Sequence, residues 1–309
     1  MKHLLFLLLF VAACKPGDDA TTASDDVART LDFDTFGDYW YQGKAELNTY
    51  DLEQYRYGEK RDAEAVLIFV TEDFSKDKQV KLDEPQRNQR DAQKVLKMNM
   101  TKKFVTGIYP YSMMLSVFTP VYDSIPAVKV TASSQEWCGH TFTQLNREAG
   151  VYRAQLFSYF EKESDQNLTL DAMPEDNIWT LLRLNPNQVP TGDLKLIPGL
   201  LDQRLTHEPL EAEDATIRKT DAPTGMAGYS AKGLKMLTVR YKNYPRELRI
   251  YYTVGFPYEI VGWEEIRRLD GGKEEVSRAT RKAKLITDYW TKNKNEHAPL
   301  RRELKLKNQ

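Results

Sequence analysis

The stretch LTVRY-KNYPR-ELRIYYTV, residues 237–254, constrains the fold more than any other part of the chain. Leu237, Val239 and Tyr241 alternate with Thr238 and Arg240. That is the period of a strand with one covered face. Pro245 has no N–H to give to a ladder and marks the turn between two such runs. Runs joined by so few residues pair antiparallel, because a parallel pair needs a long crossover. The spacing therefore predicts antiparallel pairing of 233–242 with 246–255.

The same grammar recurs along the chain. AELNTYDLEQYRYG, AVLIFVTEDF, KVLKMNMTKKFVTG, YSMMLSVFTPVY, AVKVTASS, QEWCGHTFTQLN, VYRAQLFSYFEKE and YEIVGWEEIRRL all read as strands. Between about 165 and 204 the pattern lapses. Pro174, Pro186, Pro190 and Pro198 punctuate this excursion, and only DNIWTLLRL is briefly helical. Near the C-terminus Val276, Ala279, Ala283, Ile286 and Trp290 recur three and four apart, which predicts one stripe of an amphipathic helix. The expected architecture is mainly β: a curved antiparallel sheet, half-barrel or sandwich-like, with a C-terminal amphipathic helix. Its expected divisions are an antiparallel β domain over 35–270 and a C-terminal helix and basic tail over 271–309.

The N-terminus is of another kind. Lys2 precedes a short apolar run, Leu4 to Ala13, too short to span a bilayer and of signal-peptide length. The sequence Val11-Ala12-Ala13-Cys14 that closes it resembles a bacterial lipobox, which implies a signal peptide over 1–13 and lipidation of Cys14, with palmitate as a label for it. Residues 14–34 are acidic, polar and small, a composition that cannot bury enough apolar area to order itself and so predicts a flexible tether. Lys15 rather than Asp follows the cysteine, which by lipoprotein sorting logic favours the outer over the inner membrane.

Charge and cysteine content exclude several function classes. There are 44 basic and 45 acidic side chains. Removing residues 1–13 takes away one lysine, so the mature chain is slightly acidic and offers no electrostatic reason to bind nucleic acid. Cys14 and Cys138 are the only cysteines. With Cys14 lipidated no internal disulfide remains, so the exported domain depends on its core and its ladders. No HExxH, GxSxG, P-loop or dinucleotide fingerprint is present, and neither a cofactor nor a metal is expected.

One cluster carries candidate chemistry. Glu136, Cys138 and His140 alternate in SSQEWCGHTF and would share one face of a strand. A histidine beside a thiol can lower its pKa and yield a nucleophile, with a carboxylate orienting the imidazole. The same set could ligate a metal. The plainer reading is that Cys138 is a small buried core residue. His207 and His297 read as solvated loop residues. Aromatics crowd the first folded segment, with Tyr39, Trp40, Tyr41, Tyr50, Tyr55 and Tyr57. They suit pleated surfaces, and they also suit an apolar or sugar-facing groove.

The lipobox, YWYQGKAELNTYDLEQYRYG, EAVLIFVTEDF with KQVKLD after it, SSQEWCGHTFTQLN and ATRKAKLITDYW together resemble an uncharacterised family of bacterial envelope lipoproteins, members of which carry the label "septum formation inhibitor Maf". True Maf nucleotide pyrophosphatases have an S-x-S-P-R-R-like segment on an α/β fold, and this chain lacks that segment. The resemblance implies a lipid-anchored envelope protein and no established chemistry. The functional expectation is a non-enzymatic protein that meets the membrane through its N-terminal lipid and binds an apolar ligand, a glycan or an envelope partner. The alternatives are a thiol-dependent enzyme centred on Cys138 and His140, and a Maf-like pyrophosphatase.

Overall fold

The computed structural model describes residues 31, 33–223 and 233–307. Cys14, the lipobox and most of the tether lie outside the described residues. The first element is a short helix, α1 (Phe33–Trp40). A meander of eight strands follows, each paired antiparallel with the next: β1 (Ala45–Arg56), β2 (Glu59–Ser75), β3 (Ala92–Thr106), β4 (Tyr109–Pro120), β5 (Lys129–Glu136), β6 (Gly139–Glu148), β7 (Val151–Ser158) and β8 (Gln166–Leu170). The proline-punctuated stretch then supplies β9 (Met173–Pro174), α2 (Asn177–Leu184), β10 (Gly192–Ile197) and α3 (Leu200–Thr206). A second meander completes the sheet with β11 (Glu213–Asp221), β12 (Leu234–Tyr241), β13 (Arg246–Thr253), β14 (Ile260–Arg268) and β15 (Glu274–Thr287).

Among the described residues all fifteen strands belong to one sheet, in the order 8-7-6-5-4-3-2-1-15-14-13-12-11-10-9, with only the β9–β10 pair parallel. The two meanders are joined where β1 pairs with β15. The mainly β, antiparallel architecture is as the sequence implies. The pairing of Leu234–Thr253 through Arg240–Glu247 also matches the predicted hairpin.

The sheet is open but strongly curled. Its two edge strands, β8 and β9, are separated in the chain by Asp171 and Ala172 alone. Two residues span roughly 11 Å at most, so the edges lie close to each other at that corner. The lumen is filled by the two helices of the excursion. From α2, Trp179 packs edge-on against Trp263 of β14, Thr180 meets Thr119 of β4, and Arg183 reaches Glu46 of β1. From α3, the Leu205 carbonyl accepts from Arg56 of β1 and Arg204 pairs with Glu136 of β5. Ile178, Leu182, Leu200 and Leu201 are buried in the same core as Leu67, Phe69, Met98 and Val239. An apolar lumen is thus closed by helix rather than left open for cargo.

The C-terminal helix is present but short, and its placement on the stripe from Val276 to Trp290 is corrected. Residues 274–287 form β15, a central strand between β1 and β14, so the β domain continues past 270. The only C-terminal α-helix among the described residues is short, α4 (Leu300–Glu303). The tail beyond it is docked: Leu304 packs with Ala45, Leu47 and Val70 on the outer face of the sheet, and Lys307 pairs with Asp62.

Candidate functional site

Alternate turns of a meander fall at one end of its sheet. The β1–β2, β3–β4, β5–β6 and β7–β8 turns therefore share a rim, and the register of β15 on β1 brings the β14–β15 turn there too. The opposite end carries α1, through which the chain enters β1. The rim holds both the predicted cluster and a cavity that sequence reasoning did not single out.

The predicted cluster is not on one strand. Glu136 ends β5, Trp137 and Cys138 form the two-residue turn, and His140 is the second residue of β6, paired with Gln135. Residues opposite each other across the hairpin share a face, so His140 lies with Gln135 on the face away from Glu136 and the expected alternation is broken. Cys138 is exposed, which corrects the expectation of a packed core thiol. Its backbone N–H donates to Glu136 Oε2 at 2.7 Å. The hydrogen bond and charge of that carboxylate push the thiol pKa up, the reverse of what a nucleophile needs. Glu136 itself is committed to Arg204 at 3.2 Å, and Arg204 lies over the Phe160 ring at 4.4 Å. His207, expected to be solvated, is the left-handed C-cap residue of α3, with its ring against Phe160 and its Nδ1 at Glu163. Among the described residues no group of three His, Cys, Asp or Glu side chains could hold a metal.

Beside this hairpin, between the end of β1, α3 and the starts of β13 and β15, lies a cavity of about 240 Å³. Gln54, Arg56, Tyr57, Asp202, Thr206, Arg246, Glu265, Arg267 and Ser277 contribute to its wall. Strand alternation explains the set: Gln54 and Arg56 are two apart on β1, and Glu265 and Arg267 two apart on β14. Gln54 donates to Ser277 Oγ at 3.1 Å, while its own Oε1, Arg56 Nε and Arg267 Nη1 have no hydrogen-bond partner among the described residues.

Behind the cavity is a buried charged cluster. Arg246 spans Glu175 at 2.7 Å and Asp202 at 2.9 Å, and Lys102 pairs with Glu265. Tyr241 and Tyr244 donate to Glu175 and Asp202 at 3.0 and 2.6 Å, and Trp263 Nε1 donates to Glu265 at 3.0 Å. Burial alone would raise the Glu265 carboxyl, yet the Lys102 and Arg246 charges bring it to about 2. Arg246 is lifted well above its ordinary value by Asp202 and Glu175, against the effect of burial. Asp176 is the exception: burial first, then the Glu175 charge, push it up to about 7. Its Oδ2 accepts from the Leu200 N–H that opens α3.

A wider groove of about 500 Å³ lies on the outer face beside Asp62, Lys103, Val105, Pro110 and Lys307. Its Asp62 and Glu64 carboxylates are already taken by the side chain and backbone N–H of Lys307, so the rim cavity is the stronger candidate. No protein-family model, curated protein or solved structure matches this chain.

Proposed function

We propose that this is a lipid-anchored cell-envelope protein that binds a glycan in the rim cavity without transforming it. The anchor rests on Val11-Ala12-Ala13-Cys14. The observation that carries the binding reading is the state of the charges at the cavity. Arg246 and Glu265 are fixed in ion pairs and held firmly ionised, so neither has a proton to exchange near neutral pH. Asp176, the carboxyl poised near neutrality, is fully buried and bonded to Leu200 rather than presented to the cavity. A rigid wall of paired charges, amide and hydroxyls suits a hydroxyl-rich ligand, which both gives and takes hydrogen bonds. An apolar ligand is disfavoured because α2 and α3 occupy the lumen. The exposed thiol with a raised pKa argues against a thiol enzyme.

The test is calorimetric titration of the full-length protein in detergent with neutral and acidic oligosaccharides, following a glycan-array screen. Arg267→Met keeps the aliphatic stem and removes the guanidinium. It is expected to weaken binding about tenfold or more, the scale of one lost charged hydrogen bond. Unchanged affinity in that variant, or cleaved sugar in the mass spectrum, would overturn the reading.

A further inference from the structure

The rim is lined with aromatic and apolar side chains that no core explains. Tyr57 is 58% exposed, Ile108 81%, Trp137 69% and Tyr159 70%, one on each successive hairpin tip. They are not isolated. Tyr57 belongs to the cavity wall, and its hydroxyl bonds Tyr111 at 2.9 Å and Tyr109 at 3.4 Å. The Tyr109 and Trp137 rings are 6.3 Å apart with planes only 32° from parallel. Tyr159 lies over Gly139, where an added Cβ would fall 2.8 Å from its Cγ. Three adjacent tips thus present a shallow run of aromatic side chains beside the cavity, with the Arg56 guanidinium against one face of the Tyr57 ring at 4.1 Å.

The backbone under Tyr57 makes the placement more telling. Tyr57 and Gly58 both have positive φ, 55° and 75°, in the two-residue turn between β1 and β2. Such a turn favours Asn, Asp or Gly at its first position, and a bulky residue there is strained. Strain of that kind persists where the side chain is needed and gathers at ligand sites.

We infer that Tyr57, Tyr109 and Trp137 form a stacking platform for an extended glycan chain, whose end is held in the rim cavity. The inference rests on the cavity reading above and adds the ligand class: a linear oligosaccharide of several units rather than a mono- or disaccharide. Sugar rings have an apolar face of C–H groups that packs on aromatic rings, while their hydroxyls meet polar groups at the edge; tyrosine and tryptophan offer an apolar body with a polar handle. The rim lies at the opposite end of the sheet from α1, so it points away from the side at which the chain enters. That placement favours a chain-like ligand over a bilayer surface as the occupant.

The test uses full-length protein in detergent, with disaccharides and hexasaccharides of each sugar type that the array selects. Affinity is expected to rise about tenfold or more from disaccharide to hexasaccharide. Trp137→Ala is expected to remove that gain and leave the disaccharide unchanged, with partial rescue by Trp137→Phe. Trp137 is in an exposed turn, so its loss leaves the core intact; Tyr57→Asn, which suits the turn better but also removes part of the cavity wall, is expected to weaken the hexasaccharide and the disaccharide alike, with an equal or higher Tm. Disaccharide binding with no length dependence, or equal loss for both lengths in Trp137→Ala, overturns the platform and leaves the cavity standing. No binding at either length overturns both. In reconstituted vesicles, quenching of wild-type but not Trp137→Phe fluorescence by brominated phospholipid would show a membrane-facing rim and also refute the platform.

Discussion

The guanidinium of Arg183 on α2 and the carboxylate of Glu46 on β1 meet as a two-pronged pair, 2.6 and 2.8 Å, with both side chains closed to solvent. Arg183 also lies over the Phe69 ring at 4.5 Å and the Trp40 ring at 5.0 Å. Tyr39 and Asn48 donate to the same carboxylate. One residue thus ties the lumen helix, the central strand and α1. Removing one partner of such a pair strands a charge in the core, so Glu46→Gln is expected to cost about 3–5 kcal/mol in urea unfolding. The double change Glu46→Leu with Arg183→Met is expected to be less damaging than Glu46→Gln alone. A single-variant cost below about 1 kcal/mol would mean the pair does not hold these elements together.

The buried carboxyls predict opposing pH effects. Burial alone would raise Glu46, but the Arg183 charge and hydrogen bonds bring it to about 2, and Glu265 is likewise near 2. Their contributions are present above about pH 4.5 and fade as pH falls toward 2. Asp176 runs the other way. Its folded pKa, about 7, exceeds the ordinary 3.8, so the folded protein keeps a proton that the unfolded chain gives up. Its penalty is absent below pH 4, grows through pH 7 and is complete above it. Asp176→Asn keeps an acceptor for the Leu200 N–H and removes that charge among Glu175, Arg246 and Lys102. The variant is expected to gain ~2–4 kcal/mol of unfolding free energy at pH 8 and almost nothing at pH 4. Equal gains at both pH values would contradict this account.

Cys138 should behave as an unactivated surface thiol. Glu136 raises its pKa, so iodoacetamide labelling of the folded protein is expected to be slow at mildly acidic pH and to climb only in the alkaline range. Cys138→Ala is expected to change stability by no more than about 0.5 kcal/mol, since the side chain is exposed. Fast labelling at pH 6 that disappears in His140→Ala would restore the thiol-centred alternative.

Lipid attachment is tested at Cys14. Cys14→Ser is expected to abolish palmitate incorporation and to leave an uncleaved or soluble exported protein. Undiminished palmitate labelling in that variant would rule out the anchor.

The strands were legible where one face is core and the other is water, as in Leu237, Val239 and Tyr241 of β12, all on the buried side. β15 was not, for two physical reasons. Its side chains are matched by charge instead of apolar cover: Arg278 meets Glu264 of β14, Arg281 meets Glu259 just before it and Lys282 meets Glu64 of β2. A register shift opposite Thr49 and Tyr50 also leaves Lys282 without a partner position on β1. That extra residue shifts the alternation, so Ala279, opposite Leu52, and Ala283, opposite Thr49, lie on different faces although they are four apart, and the apolar spacing imitates a helix. The rim cavity was invisible for a different reason. Gln54 lies on β1, far along the chain from Arg246 and Glu265 on β13 and β14, and the three become near neighbours only because β1 pairs with β15. Aromatic crowding near Tyr57 was a partial signal, but Trp137 and Tyr159 join it only through the alternation of hairpin ends.

The position of β1 has a mechanical consequence. Any load carried by the residues before α1 enters the sheet through β1, which is held on one side by β2 and on the other by β15. Its ladder bonds run perpendicular to the strand, so a pull along β1 stretches both rows in shear and they must fail together. An edge strand such as β8, held by β7 alone, could be peeled away bond by bond. A protein drawn from its N-terminal side would therefore resist extension with its strongest geometry, and force spectroscopy through that end should meet a higher rupture force than pulling through β8.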